Sequence, residues 1–171
     1  EIDMSGERLA HVTGDGDVTM VDVGHKAKTE RKAVVRTRVE LNAQTFARLT
    51  EHALPKGDVL TTAKIAGIQA AKSTGQLIPM CHPLFLSYLD VRLTPDPASH
   101  SIDIEAEART TAETGVEMEA LVAAQVAAMT VYDMCKAVQR DIVISGCRLV
   151  HKSGGNSGTY DADTLRPEHS G

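Results

Sequence analysis

From residue 33 to 41 the chain reads AVVRTRVEL, in which Val35, Thr37, Val39 and Leu41 alternate with Val34, Arg36, Arg38 and Glu40. A period of two over this length predicts a half-buried strand. Asn42 can then cap a short helix reaching His52, with Phe46 and Leu49 inward. Asp58 can cap a second helix, VLTTAKIAGIQAAKST, which Gly75 is expected to end in a left-handed conformation. Pro79 and Pro83 flank Met80, Cys81 and His82 in LIPMCHPLF and predict a stiff, non-helical connection. Two strands follow, 86–93 and 101–110, joined by the turn-rich TPDPASH. In the second, Ile102, Ile104, Ala106 and Ala108 face inward against Asp103, Glu105, Glu107 and Arg109, so one face of the sheet meets water. A long helix over about 115–139, a strand DIVISGCRLV and a glycine-rich tail complete the order. Strand, helix pair, strand, strand, helix, strand is the split βαβ pattern with one helix added. The expected class is therefore an α+β ferredoxin-like sandwich, a mostly antiparallel four-stranded sheet with helices on one face plus an extra helix. Residues 1–20 read as a mobile arm, 21–160 as one domain and 161–171 as a flexible tail.

At 100° per residue, Met118, Val122, Val126, Met129, Asp133 and Lys136 of the long helix fall within a sector of about 80°. The two charges extend the apolar stripe, and the other faces are rich in alanine, so neighbours can approach closely all round. One reading is an i,i+3 ion pair where the helix reaches solvent, contributing only about 0.2 to 0.5 kcal/mol. The other is an acid/base pair at a pocket edge, whose lysine approaches neutrality through desolvation. At the opposite end, Thr114 and Glu117 have the spacing of a capping box, while Glu119 points away from Glu117 and lies near the apolar sector. His82, restrained by Pro83, is either a packed histidine or one held for function; with Cys81 alone it makes a poor metal clamp. Lys56 precedes a helix N-terminus, which favours anions. The run Lys152-Ser153-Gly154-Gly155-Asn156-Ser157-Gly158 offers backbone amides and a lysine to a phosphate, but lacks the P-loop form.

Composition narrows the classes. Aromatic residues are 3% of the 171, with no Trp, so small aliphatic side chains must fill the core. A net charge of −5 opposes a general nucleic-acid or membrane-surface role, and an anionic ligand would need a local basic cluster. Cys81, Cys135 and Cys147 are odd in number and show no CxxC spacing, which suits a reducing compartment. The longest uncharged stretch, 120–132, falls short of the roughly 18 apolar residues of a membrane span, and no export signal is read, so a cytoplasmic setting is expected.

LIPMCHPL, TGVEMEAL and VYDMCKAV, in this order and spacing, resemble the cyclic pyranopterin monophosphate synthase family, MoaC, of molybdenum-cofactor biosynthesis. The resemblance runs from MVDV at 20–23 through KGDVL and AKIAGIQAAK to KSGG. It implies the ferredoxin-like fold and a homo-hexamer, a trimer of dimers, with active sites between subunits. It implies a lyase that converts (8S)-3',8-cyclo-7,8-dihydroguanosine 5'-triphosphate to cyclic pyranopterin monophosphate and pyrophosphate. Carried across by motif, Asp133 and Lys136 would be the central acid/base pair, with Lys56 and His82 also catalytic. Met80, Cys81, His82, Glu117, Met118, Glu119, Lys152 and Lys26 would bind substrate. No metal site and no required cofactor are implied, and assistance by Mg²⁺ is not readable from the residues. Asn156 stands where the family's loop commonly carries a basic residue, Gly24 where a small hydroxyl residue is common, and Met80 where leucine is usual. Asn156 keeps open a second reading, a non-catalytic nucleotide-binding or assembly module on the same fold.

Overall fold

The structure is a computed structural model, and it describes residues 14–162. Most of the expected arm and most of the expected tail, 1–13 and 163–171, lie outside the described residues. Strand β1 (Thr29–Glu40) begins four residues before the alternation announces it. Arg31 and Lys32 obscure the pattern by their charge but still pair with Thr110 and Arg109 of β3 (Ser101–Ala112). Helix α1 (Ala43–Thr50) is capped as expected, Asn42 Oδ1 accepting from the Thr45 N–H at 2.8 Å. Helix α2 (Val59–Lys72) is capped by Asp58, which accepts from the Thr61 N–H at 3.1 Å and from its hydroxyl at 2.7 Å.

Gly75 does not end α2. The helix stops at Ser73, φ −103°, and Gly75 lies within a further turn, α3 (Thr74–Leu77). Its lack of a side chain serves packing instead, since a Cβ there would meet Pro83 Cα at 3.2 Å. Strand β2 (Tyr88–Asp96), helix α4 (Glu117–Cys135), strand β4 (Val143–Ser153) and a two-residue β5 (Tyr160–Asp161) complete the chain. The sheet order is β2-β3-β1-β4-β5, antiparallel throughout, so the four expected strands take the ferredoxin-like arrangement and β5 adds a fifth at the β4 edge.

The outer sheet face is held by charge pairs between neighbouring strands. Arg36 Nε donates to Glu105 at 2.8 Å and Arg38 Nε to Asp103 at 2.7 Å, while Lys32 Nζ lies 3.3 Å from Glu107. Burial alone would raise the Glu107 carboxyl, but Arg109 and Lys32 together hold it below the usual range. Opposite charges directly across a strand pair fix register as well as solubility.

The inner face meets α2 and α4 through a core of Val35, Val39, Val91, Ile102, Ile104 and a run of alanines. The stripe of larger side chains on α4 is buried only in part, Val122 being 8% exposed. Met129 is 54% exposed and Asp133 and Lys136 point outward, whereas Ala120, Ala123, Ala124, Ala127, Ala128 and Val131 are sealed. Close approach decides this: small side chains let α4 lie against both α2 and the sheet, which larger ones would hold apart. At the crossing, a Cβ added to Gly67 of α2 would lie 2.7 Å from Ala123 O and 3.2 Å from both Ala127 Cβ and Val91 Cγ2. Among the described residues no helix is long and apolar enough to cross a membrane. The packing predicts that Gly67→Ala, although it improves helix propensity, destabilises the fold by about 1 to 3 kcal/mol, read as a lower urea midpoint.

Candidate active site

Two clusters gather the residues singled out from the sequence, one at each end of α4. At its C-terminal end Asp133 lies in the last turn and Lys136 just beyond it. Asp133 Oδ1 is 2.7 Å from Lys136 Nζ, and Oδ2 accepts from Lys56 Nζ at 2.7 Å. Lys56 also donates to the Asp133 carbonyl at 3.3 Å, so the loop before α2 is tied to the end of α4. The i,i+3 pair is therefore real but belongs to a triad. Hydrogen bonds from Lys136 and then Lys56 hold the Asp133 carboxyl down to about 2. The same contact holds the Lys136 ammonium above its usual value, and its side chain is half exposed, so within a single chain it is not the desolvated lysine of the alternative reading. The triad carries one net positive charge.

The N-terminal end of α4 faces a cavity of about 290 Å³. Met80, Cys81 and His82 line it from one side, Met118 and Glu119 from the other, with Lys26 and Glu117 at its edge. Thr110 and Ser87 fix the proline-bounded loop to the sheet, the Thr110 hydroxyl donating to Phe85 O at 2.6 Å and the Ser87 N–H to Arg109 O at 2.9 Å. Glu119 is 4% exposed. Burial pushes its carboxyl up to about 7, a backbone N–H opposing the rise and the Glu117 charge adding to it. Burial, and then the Glu119 charge, push the Cys81 thiol up as well. The cavity thus holds a carboxyl that can be either protonated or ionised near neutral pH.

Glu117 does not close a capping box with Thr114. The N-cap is Val116, with no side-chain cap bond, and the Glu117 carboxylate is engaged by Lys152 of β4 instead. Gly115 makes room for this, because a Cβ there would overlap the carboxylate. Lys26, Thr114, Gly115 and Glu117 are shared with a second cavity of about 540 Å³, which Lys152, Gly155, Asn156, Ser157, His25 and Arg31 also line. Three cations face it against the carboxylates of Glu113 and Glu117, which gives the acidic chain the local basic patch an anion requires. Asn156 does line this cavity, as a neutral amide. Among the described residues no set of three or more His, Cys, Asp or Glu gathers as metal ligands.

Lys26, Met80, Cys81, His82, Glu117, Met118, Glu119 and Lys152 are therefore brought together, and Lys56, Asp133 and Lys136 form a separate group. Glu119 and Asp133 are 14 residues apart on one helix, about 21 Å at 1.5 Å per residue. Sequence reasoning missed Arg31, whose signal was its place on the inner row of a strand started too late, and His25, which had no local signal.

The state of Glu119 sets a pH dependence. Its folded value near 7 exceeds the 4.5 of an ordinary glutamate, so its contribution to stability is fully present below about pH 4.5 and is lost as pH rises through about 7. Glu119→Gln should leave stability little changed at about pH 4.5 and raise it by on the order of 2 kcal/mol at about pH 8, measured by chemical denaturation at each pH.

Comparison with known proteins places the chain among its relatives. The MoaC family model matches residues 20–155. A protein of Oleidesulfovibrio alaskensis named cyclic pyranopterin monophosphate synthase is 67% identical over 154 residues, covering 90% of this chain and 97% of that protein. Proteins of the same name from Nitratidesulfovibrio vulgaris and Desulfovibrio desulfuricans are 66% and 60% identical, covering 91% and 92% of this chain and 96% of each relative. The family match spans well over half of the chain and takes in both clusters and the helix between them, so the chain belongs to the MoaC family.

Proposed function

We propose that this chain is a pyrophosphate-releasing lyase that converts (8S)-3',8-cyclo-7,8-dihydroguanosine 5'-triphosphate to cyclic pyranopterin monophosphate, a step in molybdenum-cofactor biosynthesis. The observation that carries the reading is a pair of cavities that share lining residues, one holding a carboxyl poised near neutrality, the other basic and lined by Gly155. Opening the five-membered part of the purine and closing the pyrazine ring require protons to move on and off several nitrogens. Glu119 can accept or return a proton at neutral pH, with His82 beside it in the same cavity wall. Lys136, held charged by Asp133, serves as a proton donor, and Asp133 stays ionised to orient it and Lys56. Closing the cyclic phosphate expels pyrophosphate, and Lys152, Lys26 and the amides around Gly155 offset the charge that develops on it. The reaction so drawn uses the chain's own side chains and needs no resident cofactor.

The separation of the clusters supports an oligomer. A helix is too stiff to bring Glu119 to Asp133, so one substrate can meet both groups only if the C-terminal end of α4 in one copy faces the N-terminal end in another. A hexamer built as a trimer of dimers, working in the cytoplasm, fits this reading. Lys136→Ala and Asp133→Ala should each lower turnover by about a hundredfold or more while thermal unfolding remains cooperative, with pyrophosphate release from the cyclic nucleotide as the assay. Near-normal turnover in either variant would overturn the acid/base assignment. Tight substrate binding without pyrophosphate release in the unmodified chain would favour the non-catalytic reading.

A further inference from the structure

Arg31 touches neither the triad nor the smaller cavity, yet its guanidinium joins the two segments that carry Glu117 and Lys152. On one side Nε donates to Ala112 O at 3.1 Å and a terminal nitrogen to Glu113 O at 2.9 Å, which fixes the end of β3 directly before Thr114, Gly115 and Glu117. On the other side the guanidinium lies under the glycine turn that follows Lys152. Gly154 and Gly155 have φ of +94° and +77°, which side chains rarely adopt. A Cβ on Gly155 would overlap the guanidinium, and one on Gly154 would overlap Glu30 O and lie 3.1 Å from Arg31 Cα. The turn therefore packs directly against Arg31, in a conformation and at a spacing that suit glycine.

We propose that Arg31 is a positioning residue: by clamping the β3 end to the Gly154–Gly155 turn it sets the spacing between Glu117 and Lys152 and shapes the anion-binding wall of the larger cavity. This rests on the function proposed above and extends it to a residue no motif singled out. The planar fork matters more than the charge, because one guanidinium must donate to two successive carbonyls through Nε and one terminal nitrogen while its other terminal nitrogen stands against the turn. A lysine keeps the charge but cannot do both.

The test uses the full chain, its cyclic nucleotide substrate and inorganic pyrophosphate. Arg31→Lys should raise KM and weaken pyrophosphate binding by about tenfold, the scale of losing one charge-assisted hydrogen bond, with a much smaller change in kcat. Gly155→Ala should reproduce the effect from the other side of the contact. The double variant should be no worse than the poorer single one, because both break one clamp. Retention of wild-type KM and pyrophosphate affinity in Arg31→Lys would overturn the proposal, as would independent, multiplicative losses in the double variant. Thermal unfolding of each variant separates this from a general loss of fold, and Gly155→Ala supplies the reading if Arg31→Lys fails to fold. Pyrophosphate binding by calorimetry needs no turnover, so an unmodified chain that binds pyrophosphate but releases none contradicts the proposed reaction, while the Arg31 comparison is still decided by binding.

Discussion

Helix α4 sets the geometry of everything else. Its 19 residues make a rod of about 28 Å, and alanines on its inner face let it sit close to both the sheet and α2. A rod packed that closely has little freedom to bend or slide. The groups at its two ends are consequently fixed in position and fixed apart. Glu119 acquires its unusual titration because it enters the core beside the first turn, and Asp133 its ordinary ionised state because the last turn emerges among lysines. One element thus produces two contrasting electrostatic environments, which is what acid/base chemistry on a single substrate needs.

The acidic net charge is compatible with an anionic substrate because the arginines and lysines are divided between two tasks. On the outer sheet face Arg36, Arg38 and Arg92 are committed to carboxylates on a neighbouring strand and Arg109 to Glu107 on its own strand. At the larger cavity, Lys26 and Lys152 converge with the guanidinium of Arg31 against the carboxylates of Glu113 and Glu117. Sequence distance conceals this division: the Glu117–Lys152 pair joins the start of α4 to the far end of β4.

The fold was legible where local chemistry decided it. Asn42 and Asp58 are caps by residue type, the alternation in β1 and β3 is a burial pattern, and the prolines of LIPMCHPLF forbid a helix. The inward face of α4 was legible only in part, because alanines on several faces admit close neighbours all round and only the packing shows which of them meet the sheet and α2. Gly75 was misread for a related reason: its signal suits a helix end, but its use is contact with Pro83. The family motifs picked out a set of residues but not that these fall into two groups at opposite ends of α4, since linear order says nothing about which end of a helix a loop will meet. Arg31 stayed hidden because its function is a contact between segments that no spacing rule connects.

The central claim, that a working site needs opposite ends of α4 from two copies, is tested most directly by complementation. Glu117→Ala and Lys136→Ala chains, each inactive alone, are co-expressed in equal amounts and assayed for pyrophosphate release from the cyclic nucleotide. The account predicts recovery of about a quarter of wild-type activity per site, the statistical share of junctions in which both halves are intact. Verified mixed oligomers with no activity beyond that of the two parents would contradict it.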